Sequence, residues 1–274
     1  MTISTPARMK SERLESRENR WLKRFRATLR EGHEGGAGAV GLEGPRMVEE
    51  ALRSDLAVEA LLVSDSGERH LARLNPLVPP GLRVLHTSDR LFASVADTEA
   101  PQGVAALVVP RSWTWDDLLG TIPLIVVLAG VQDPGNVGTI ARTAEALGAS
   151  GLVTCRGCAH PLGAKAVRAS AGSVLRMPSL AGEQAERALT QLRRRGVRQH
   201  AATLRNGQAP QSTDFTVPCA IWIGSEGAGL PPEIEDAADA RIRIPLCEPV
   251  ESLNAAVACA VLLYEAARQR GIGR

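Results

Sequence analysis

The sequence predicts an α/β protein whose C-terminal half is built on a parallel sheet, with a second, smaller α/β unit ahead of it. Three observations carry that prediction. Apolar runs at 124–129, 151–155, 199–202, 220–223 and 241–246 are short and alternate with helix-patterned stretches, as parallel strands with crossover helices do. Polar loops rich in Gly, Asn, Glu and Ser follow three of these runs, and in open α/β sheets ligands bind beyond the carboxyl ends of strands. Gly130, Gly135 and Gly138 after the first run lack the GxGxxG spacing, so a dinucleotide-binding dehydrogenase falls away.

The elements follow in order. Residues 1–37 read as a basic, helix-prone extension, and the Gly-rich stretch 31–41 reads as its flexible joint. Lys10, Arg13, Arg17, Arg20, Lys23, Arg24, Arg26 and Arg30 are opposed there only by Glu12, Glu15 and Glu18. Two readings stay open for that segment: a phosphate-attracting arm, or a solvated helix laced with Glu/Arg pairs. A first domain is expected over 38–110, with a helix from Pro45 and strands near 60–63, 83–85 and 103–109. Residues 111–121 form a polar linker whose Trp113 and Trp115 pin it to the second domain rather than stack on bases. The second domain spans 122–274. It closes on an Ala-rich helix, expected from Ser252 to about Arg270, with more apolar surface than one core contact needs.

Composition narrows the class. Of 274 residues, 44% are hydrophobic and 23% charged, enough for a large core, and the net charge of +2 does not by itself announce a nucleic-acid binder. No stretch approaches the ~20 apolar residues needed to cross a bilayer, and the N-terminus lacks a secretory signal's apolar core. Five cysteines, an odd number in apolar contexts, predict a reducing cytoplasm. Cys155 and Cys158 form a CxxC with no second ligand pair, so small residues in a turn are expected rather than a metal. Aromatics make up only 3% of the chain, so any RNA recognition should rest on phosphate, sugar and shape.

Each loop has a local explanation from residue chemistry. In Gln132-Asp133-Pro134-Gly135-Asn136-Val137-Gly138-Thr139-Ile140-Ala141-Arg142, Asn136 suits an Asx turn and Arg142 an ion pair with Glu145. In Gly224-Ser225-Glu226-Gly227-Ala228-Gly229-Leu230, Gly224 suits a turn and Glu226 the start of the next helix. In Ile244-Pro245-Leu246-Cys247-Glu248-Pro249-Val250-Glu251-Ser252-Leu253-Asn254, Ile244 and Leu253 suit a core, while Ser252 or Asn254 caps the helix.

Taken together and in this order, the three loops resemble the signature motifs of the SpoU (TrmH-type) RNA methyltransferases of the SPOUT superfamily, over residues 123 to 270. Val40-Gly41-Leu42-Glu43-Gly44-Pro45-Arg46 and Ala100-Pro101-Gln102-Gly103-Val104 resemble, more loosely, the small RNA substrate-binding domain fused ahead of such enzymes. The resemblance implies a C-terminal domain tied in a trefoil knot, where physics alone expects an unknotted chain. It implies methyl transfer from S-adenosylmethionine to a ribose 2′-OH of RNA without a metal. Ribosomal RNA is the favoured substrate and transfer RNA the alternative. A non-catalytic RNA-binding or ribosome-assembly protein of the same fold is the rival.

By the same resemblance Asn136, Arg142, Glu226, Ser252 and Asn254 form the catalytic set, Gly224, Ile244 and Leu253 contact the cofactor, and Thr203 joins them. The family's proposal makes Arg142 a general base. A guanidinium holds its proton too firmly for that, so gripping phosphate and stabilising a developing alkoxide is the preferred role. Family members are homodimers through the C-terminal region, with both subunits building the RNA site.

Overall fold

A computed structural model of the chain describes residues 10–31, 38–54 and 56–272. It divides into two compact units, one reaching Ser112 and including Leu162–Arg168, the other made of Trp113–Pro161 and Ala169–Arg274.

The first unit runs β1 (Lys10–Leu14), α1 (Arg20–Glu31), β2 (Val40–Glu43), α2 (Pro45–Arg53), β3 (Ala57–Ser64), α3 (Leu71–Leu74), β4 (Arg83–Thr87), α4 (Asp89–Val95) and β5 (Val104–Val109). Its sheet has the order β1-β4-β3-β5-β2, with β1, β4 and β3 parallel and β5 antiparallel to both β3 and β2. The segment expected as an extension ahead of this domain is instead part of it. Leu14, Trp21, Leu22, Phe25 and Leu29 enter the same buried cluster as Leu62, Leu85 and Leu107. Each such side chain contributes roughly 1.5–3 kcal/mol on burial, which opposes the cost of ordering the segment and seats it in the core. The joint expected at 31–41 lies largely outside the described residues.

The basic residues of that segment are mostly spent on the sheet and its loops. Arg24 grips Glu59 with two bonds of 2.6 and 2.8 Å, and Arg13 meets Asp65 at 3.0 Å. Arg26 and Arg30 both donate to the carbonyl of Ser94. Ion pairing therefore describes this stretch, but most pairs reach across the fold rather than along the helix. Arg168 is likewise held, at 2.6 Å from Asp97.

The second unit runs β6 (Leu124–Leu128), α5 (Pro134–Ala146), β7 (Gly151–Cys155), α6 (Ala164–Ala169, most of which groups with the first unit), α7 (Ser173–Arg176), β8 (Ser179–Glu183), α8 (Ala185–Arg194), β9 (Arg198–Ala202), β10 (Cys219–Ile223), α9 (Pro232–Ala237), β11 (Ala240–Ile242) and α10 (Ala255–Gln269). Its six strands are all parallel, in the order β11-β9-β10-β6-β7-β8. The chain steps outward from β6 to β8, crosses to β9, and returns to insert β10 between β9 and β6. Strand order thus reverses beside β6 and β10, which opens a crevice at their carboxyl ends.

Every residue of β6, β7 and β10 is buried, as their unbroken apolar runs require. Trp222 at the centre donates from Nε1 to Gln199 Oε1 at 2.7 Å, so its one polar atom is satisfied. Trp115 and Leu119 of the linker pack against this core, and Leu118 is buried in it. Among the described residues no helix is long and apolar enough to cross a membrane.

Two boundaries differ from expectation. The strand expected over 241–246 ends at Ile242, and α10 starts at Ala255, leaving Ser252 in the preceding loop. Gln208 brackets the strand's end: its N–H donates to Arg241 O and its carbonyl accepts from Arg243 N–H, so beyond Ile242 the backbone bonds to that loop and no longer extends the ladder.

At its other end α10 is locked by Arg270. Its guanidinium donates to the carbonyls of Ile122, Pro123, Phe215 and Val217 at 2.7–2.9 Å. Gln269 completes the lock by donating to Thr213 O and accepting from Phe215 N–H.

His200 on β9 is only 3% exposed, and neither ring nitrogen has a partner among the described residues. Burial holds it below the usual imidazole value of 6.5, although Asp239 and Asp214 pull upward; Arg198 adds to the lowering. A group whose folded value is depressed binds fewer protons folded than unfolded between the two values. Stability is therefore expected to fall as pH drops below about 6.5. Melting temperatures recorded between pH 8 and 5.5 check this, and in His200→Leu that part of the slope should flatten. An unchanged slope in the variant would assign it to other groups.

Candidate active site

The loops after β6, β10 and β11 converge at the carboxyl edge of the second sheet. The first opens α5, where Asp133 rather than Asn136 performs the local Asx cap, accepting from Gly135 N–H at 2.9 Å, and Pro134 follows at the first helical position. Asn136 is thereby free for longer-range bonds. Its Nδ2 donates to Glu226 Oε1 at 2.5 Å, and its Oδ1 accepts from Asn254 Nδ2 at 3.1 Å. Asn254 is the N-cap of α10, and its Oδ1 accepts from Ala256 N–H at 2.9 Å and Val257 N–H at 3.3 Å.

Every amide orientation in this chain follows from the one before. The helix start demands an oxygen from Asn254, so the Asn254 NH₂ faces Asn136 Oδ1, and the Asn136 NH₂ is left to face a carboxylate. Residues 90 and 118 positions apart are joined by it. Glu226 consequently serves Asn136 rather than the next helix.

Gly224 turns out to be required by its own loop. Ser225 and Gly229 exchange reciprocal backbone bonds of 3.0 Å, and a Cβ on Gly224 would lie 2.1 Å from the carbonyl carbon of Gly229. The loop folds back over Gly224 and presents Glu226 at its tip.

A cavity of about 280 Å³ lies between these loops. Thr203, Gly224, Ile244 and Leu253 all line it, as do Glu226 and Ser252. Ile223, Ile244 and Leu253 offer an apolar slot, and loop backbone supplies polar groups, a combination suited to a purine nucleoside with a polar tail. S-adenosylmethionine fits that description. The hydroxyl of Thr203 is partly committed, donating to Arg205 O at 2.9 Å and lying 3.2 Å from Glu235 Oε1.

Asn136 and Asn254 line a second, shallower concavity along α5 and α10, with Thr139, Val257, Val261 and Tyr264. The bond between Glu226 and Asn136 links the two hollows. Arg142 lines neither. It is exposed and has no partner among the described residues, because Glu145 is gripped by Arg176 through bonds of 2.9 and 2.7 Å. Burial pushes the Glu145 carboxyl up, but Arg176 and Ser173 outweigh it and hold it below the ordinary value.

The CxxC serves the loops mechanically. Cys158 Sγ donates to Leu128 O and accepts from Gly130 N–H, both at 3.2 Å, which ties the turn after β7 to the end of β6. Burial pushes the Cys155 thiol up to about 12, the state of an inert packed thiol. Among the described residues no cluster of three or more His, Cys, Asp or Glu is placed for a metal. Sequence reasoning missed Arg205 and Glu235, which also line the cavity. The signal for Arg205 was its position just past the carboxyl end of β9, two residues after Thr203.

Comparison with known proteins places both units in described families. The family model for the SpoU rRNA methylases matches residues 123–264, and that for the MRM3-like substrate binding domain matches 36–106. The chain is 33% identical over 228 residues to the 23S rRNA (guanosine(2553)-2′-O)-methyltransferase RlmP of Bacillus subtilis, covering 81% of this chain and 86% of that protein. It is 32% identical to the 23S rRNA (guanosine-2′-O-)-methyltransferase RlmB of Ralstonia nicotianae, covering 70% and 79%. Among solved structures, an rRNA methyltransferase from Sinorhizobium meliloti superposes with a TM-score of 0.82 at 30% identity, over 94% of this chain and 98% of the other. AviRb from Streptomyces viridochromogenes, solved with S-adenosylmethionine, gives 0.81 at 28% identity, over 94% and 100%.

Gly224→Ala is expected to destabilise the second unit by about 1–3 kcal/mol and to weaken S-adenosylmethionine binding sharply, since the loop must open to admit the methyl group. Urea denaturation and equilibrium binding check both effects. Native stability and affinity in that variant would show that the loop closes some other way.

Proposed function

The chain belongs to the SpoU rRNA methylase family, and on that premise we propose that it transfers a methyl group from S-adenosylmethionine to a ribose 2′-OH of ribosomal RNA. The observation that carries this reading is the chain of bonds from Glu226 through Asn136 to Asn254, standing at the edge of a nucleoside-sized cavity. When bound, the cofactor supplies a methyl group on a sulfonium, an electrophile that needs no metal or covalent intermediate.

The protein's own part is to bind, orient and exclude water. Gly224, Ile244, Leu253 and the Thr203 turn hold the nucleoside portion, and Ser252 closes the cavity beside Leu253. Asn136, fixed at both ends of its amide, orients the ribose. Arg142 grips the neighbouring phosphate and steadies the charge that develops on the 2′-oxygen. It is exposed and has no partner among the described residues, which leaves the whole planar fork for RNA, a bidentate role that Lys fills poorly.

The surrounding assignments belong to the same reading. Residues 38–110 form the RNA substrate-binding domain, with 10–31 now read as part of it, and 111–121 link it to the methyltransferase domain of 122–274. The trefoil knot is supported by the late insertion of β10 between β6 and β9. Free cysteines support action in the cytoplasm.

Homodimerisation is supported by Val257, Val261 and Tyr264, which form an apolar stripe on the outer face of α10, with Tyr264 65% exposed. Such a face beside Asn136 would bring the catalytic loops of two copies together. Val261→Arg is expected to convert a dimer to a monomer in light scattering coupled to gel filtration. A wild-type protein that is already monomeric would remove this part of the reading.

The activity is tested with S-adenosylmethionine labelled on its methyl group and separate pools of unmodified rRNA and tRNA. Label is expected in rRNA, in a linkage that protects the neighbouring phosphodiester from alkali. Arg142→Lys should lose most of the rate, about 100-fold or more, while still binding the cofactor. Label only in tRNA would move the substrate. A protein that binds neither cofactor nor label would leave the non-catalytic, ribosome-assembly reading in first place.

A further inference from the structure

We propose that Arg205 binds the carboxylate of the methionyl portion of S-adenosylmethionine and so distinguishes the full cofactor from nucleosides that lack the amino acid. The inference rests on reading the cavity as the S-adenosylmethionine site, and it adds a residue to that site.

Charge complementarity is the starting point. The cofactor carries two cations, the sulfonium and the α-ammonium, and one anion, the carboxylate. Three charged residues line the cavity: Glu226, Glu235 and Arg205. The two carboxylates are already engaged. Glu226 accepts from Asn136, and Glu235 Oε1 stands 3.2 Å from both Thr203 Oγ1 and Arg241 Nε. Arg205 is exposed and its guanidinium has no partner among the described residues. A cation left unpaired at the mouth of a cavity whose other charges are acidic is the natural seat for the ligand's one anion. The fork geometry of a guanidinium matches a carboxylate with two parallel bonds.

The backbone beneath Arg205 is built to hold it there. Thr203 Oγ1 donates to Arg205 O at 2.9 Å and accepts from Arg205 N–H at 3.2 Å, closing a tight turn. Asn206 takes the left-handed conformation, φ 53°, that short polar side chains tolerate. Gly207 lies so close to β11's end that a Cβ there would meet Arg243 N at 2.7 Å. Backbone bonds from Thr203 N–H to Ile242 O and from Gln208 N–H to Arg241 O, both 2.9 Å, staple the turn on either side. Arg205 is thus presented from a fixed turn at the carboxyl end of β9, and Thr203 acts as much by shaping that turn as by touching ligand.

Calorimetric titration of the full chain with two nucleosides tests this. S-adenosylhomocysteine has the carboxylate and 5′-methylthioadenosine lacks the amino acid. Arg205→Met is expected to weaken S-adenosylhomocysteine by about tenfold or more, the loss of a charge-assisted pair, while leaving 5′-methylthioadenosine unchanged. Arg205→Lys should recover part of the difference. Equal affinity of wild type and Arg205→Met for S-adenosylhomocysteine overturns the proposal. So does a parallel loss for both ligands, which would make Arg205 a support for the turn. If the wild-type protein binds neither ligand, the cavity is not a cofactor site and the broader reading falls with it.

Discussion

The capping of α10 is the constraint on which the rest of the site depends. A helix start leaves main-chain N–H groups without partners, and here Asn254 supplies the missing acceptor for Ala256 and Val257. A cap of this kind is worth about 1 kcal/mol to the helix. Its larger consequence is directional, because it commits the amide oxygen inward and turns the NH₂ toward Asn136. From there the order propagates to Glu226. Three loops that share no sequence neighbourhood are thereby put in register by the hydrogen-bonding needs of one helix end.

That arrangement works only if α10 itself is held still. Arg270 spends its guanidinium on four carbonyls from two separate segments, and Gln269 adds bonds to Thr213 and Phe215. The lock ties the helix end to the segments leading into β6 and β10, and at Pro123 the guanidinium shares a carbonyl that also accepts from Cys219 N–H. Between its two ends the helix buries Ala255, Ala256, Cys259, Leu262, Leu263 and Ala266 and leaves Val257, Val261 and Tyr264 outward. One face thus serves the core, and the other adjoins Asn136 and Asn254.

Charge is distributed with the same economy. Arg13, Arg24, Arg26 and Arg30 are held within the first unit by Asp65, Glu59 and the Ser94 carbonyl, and Arg176 and Arg168 are likewise paired. Arg142 and Arg205 are both exposed without a partner among the described residues, Arg205 at the cavity and Arg142 on α5 outside both hollows. A net charge of +2 therefore says little about RNA affinity, because what matters is which guanidinium groups the fold leaves uncommitted.

Strand order in sequence, the parallel character of the second sheet and the three polar loops were legible in the chain itself. The short unbroken apolar runs at 124–129 and 220–223 do supply buried strands, and Thr203, Gly224, Ile244 and Leu253 do share one cavity. These follow from local periodicity and from the rule that ligands gather at strand ends. Tertiary structure decided the pairings. Asn136 looked able to cap its own turn, but Asp133 already does so; Arg142 looked able to pair with Glu145, but Arg176 takes it. Segment 10–31 read as a basic extension ahead of the first domain, but its apolar face completes the first core. In each case several partners were chemically equivalent along the chain. Which one wins depends on distances between residues far apart in sequence, and only the packed fold sets those.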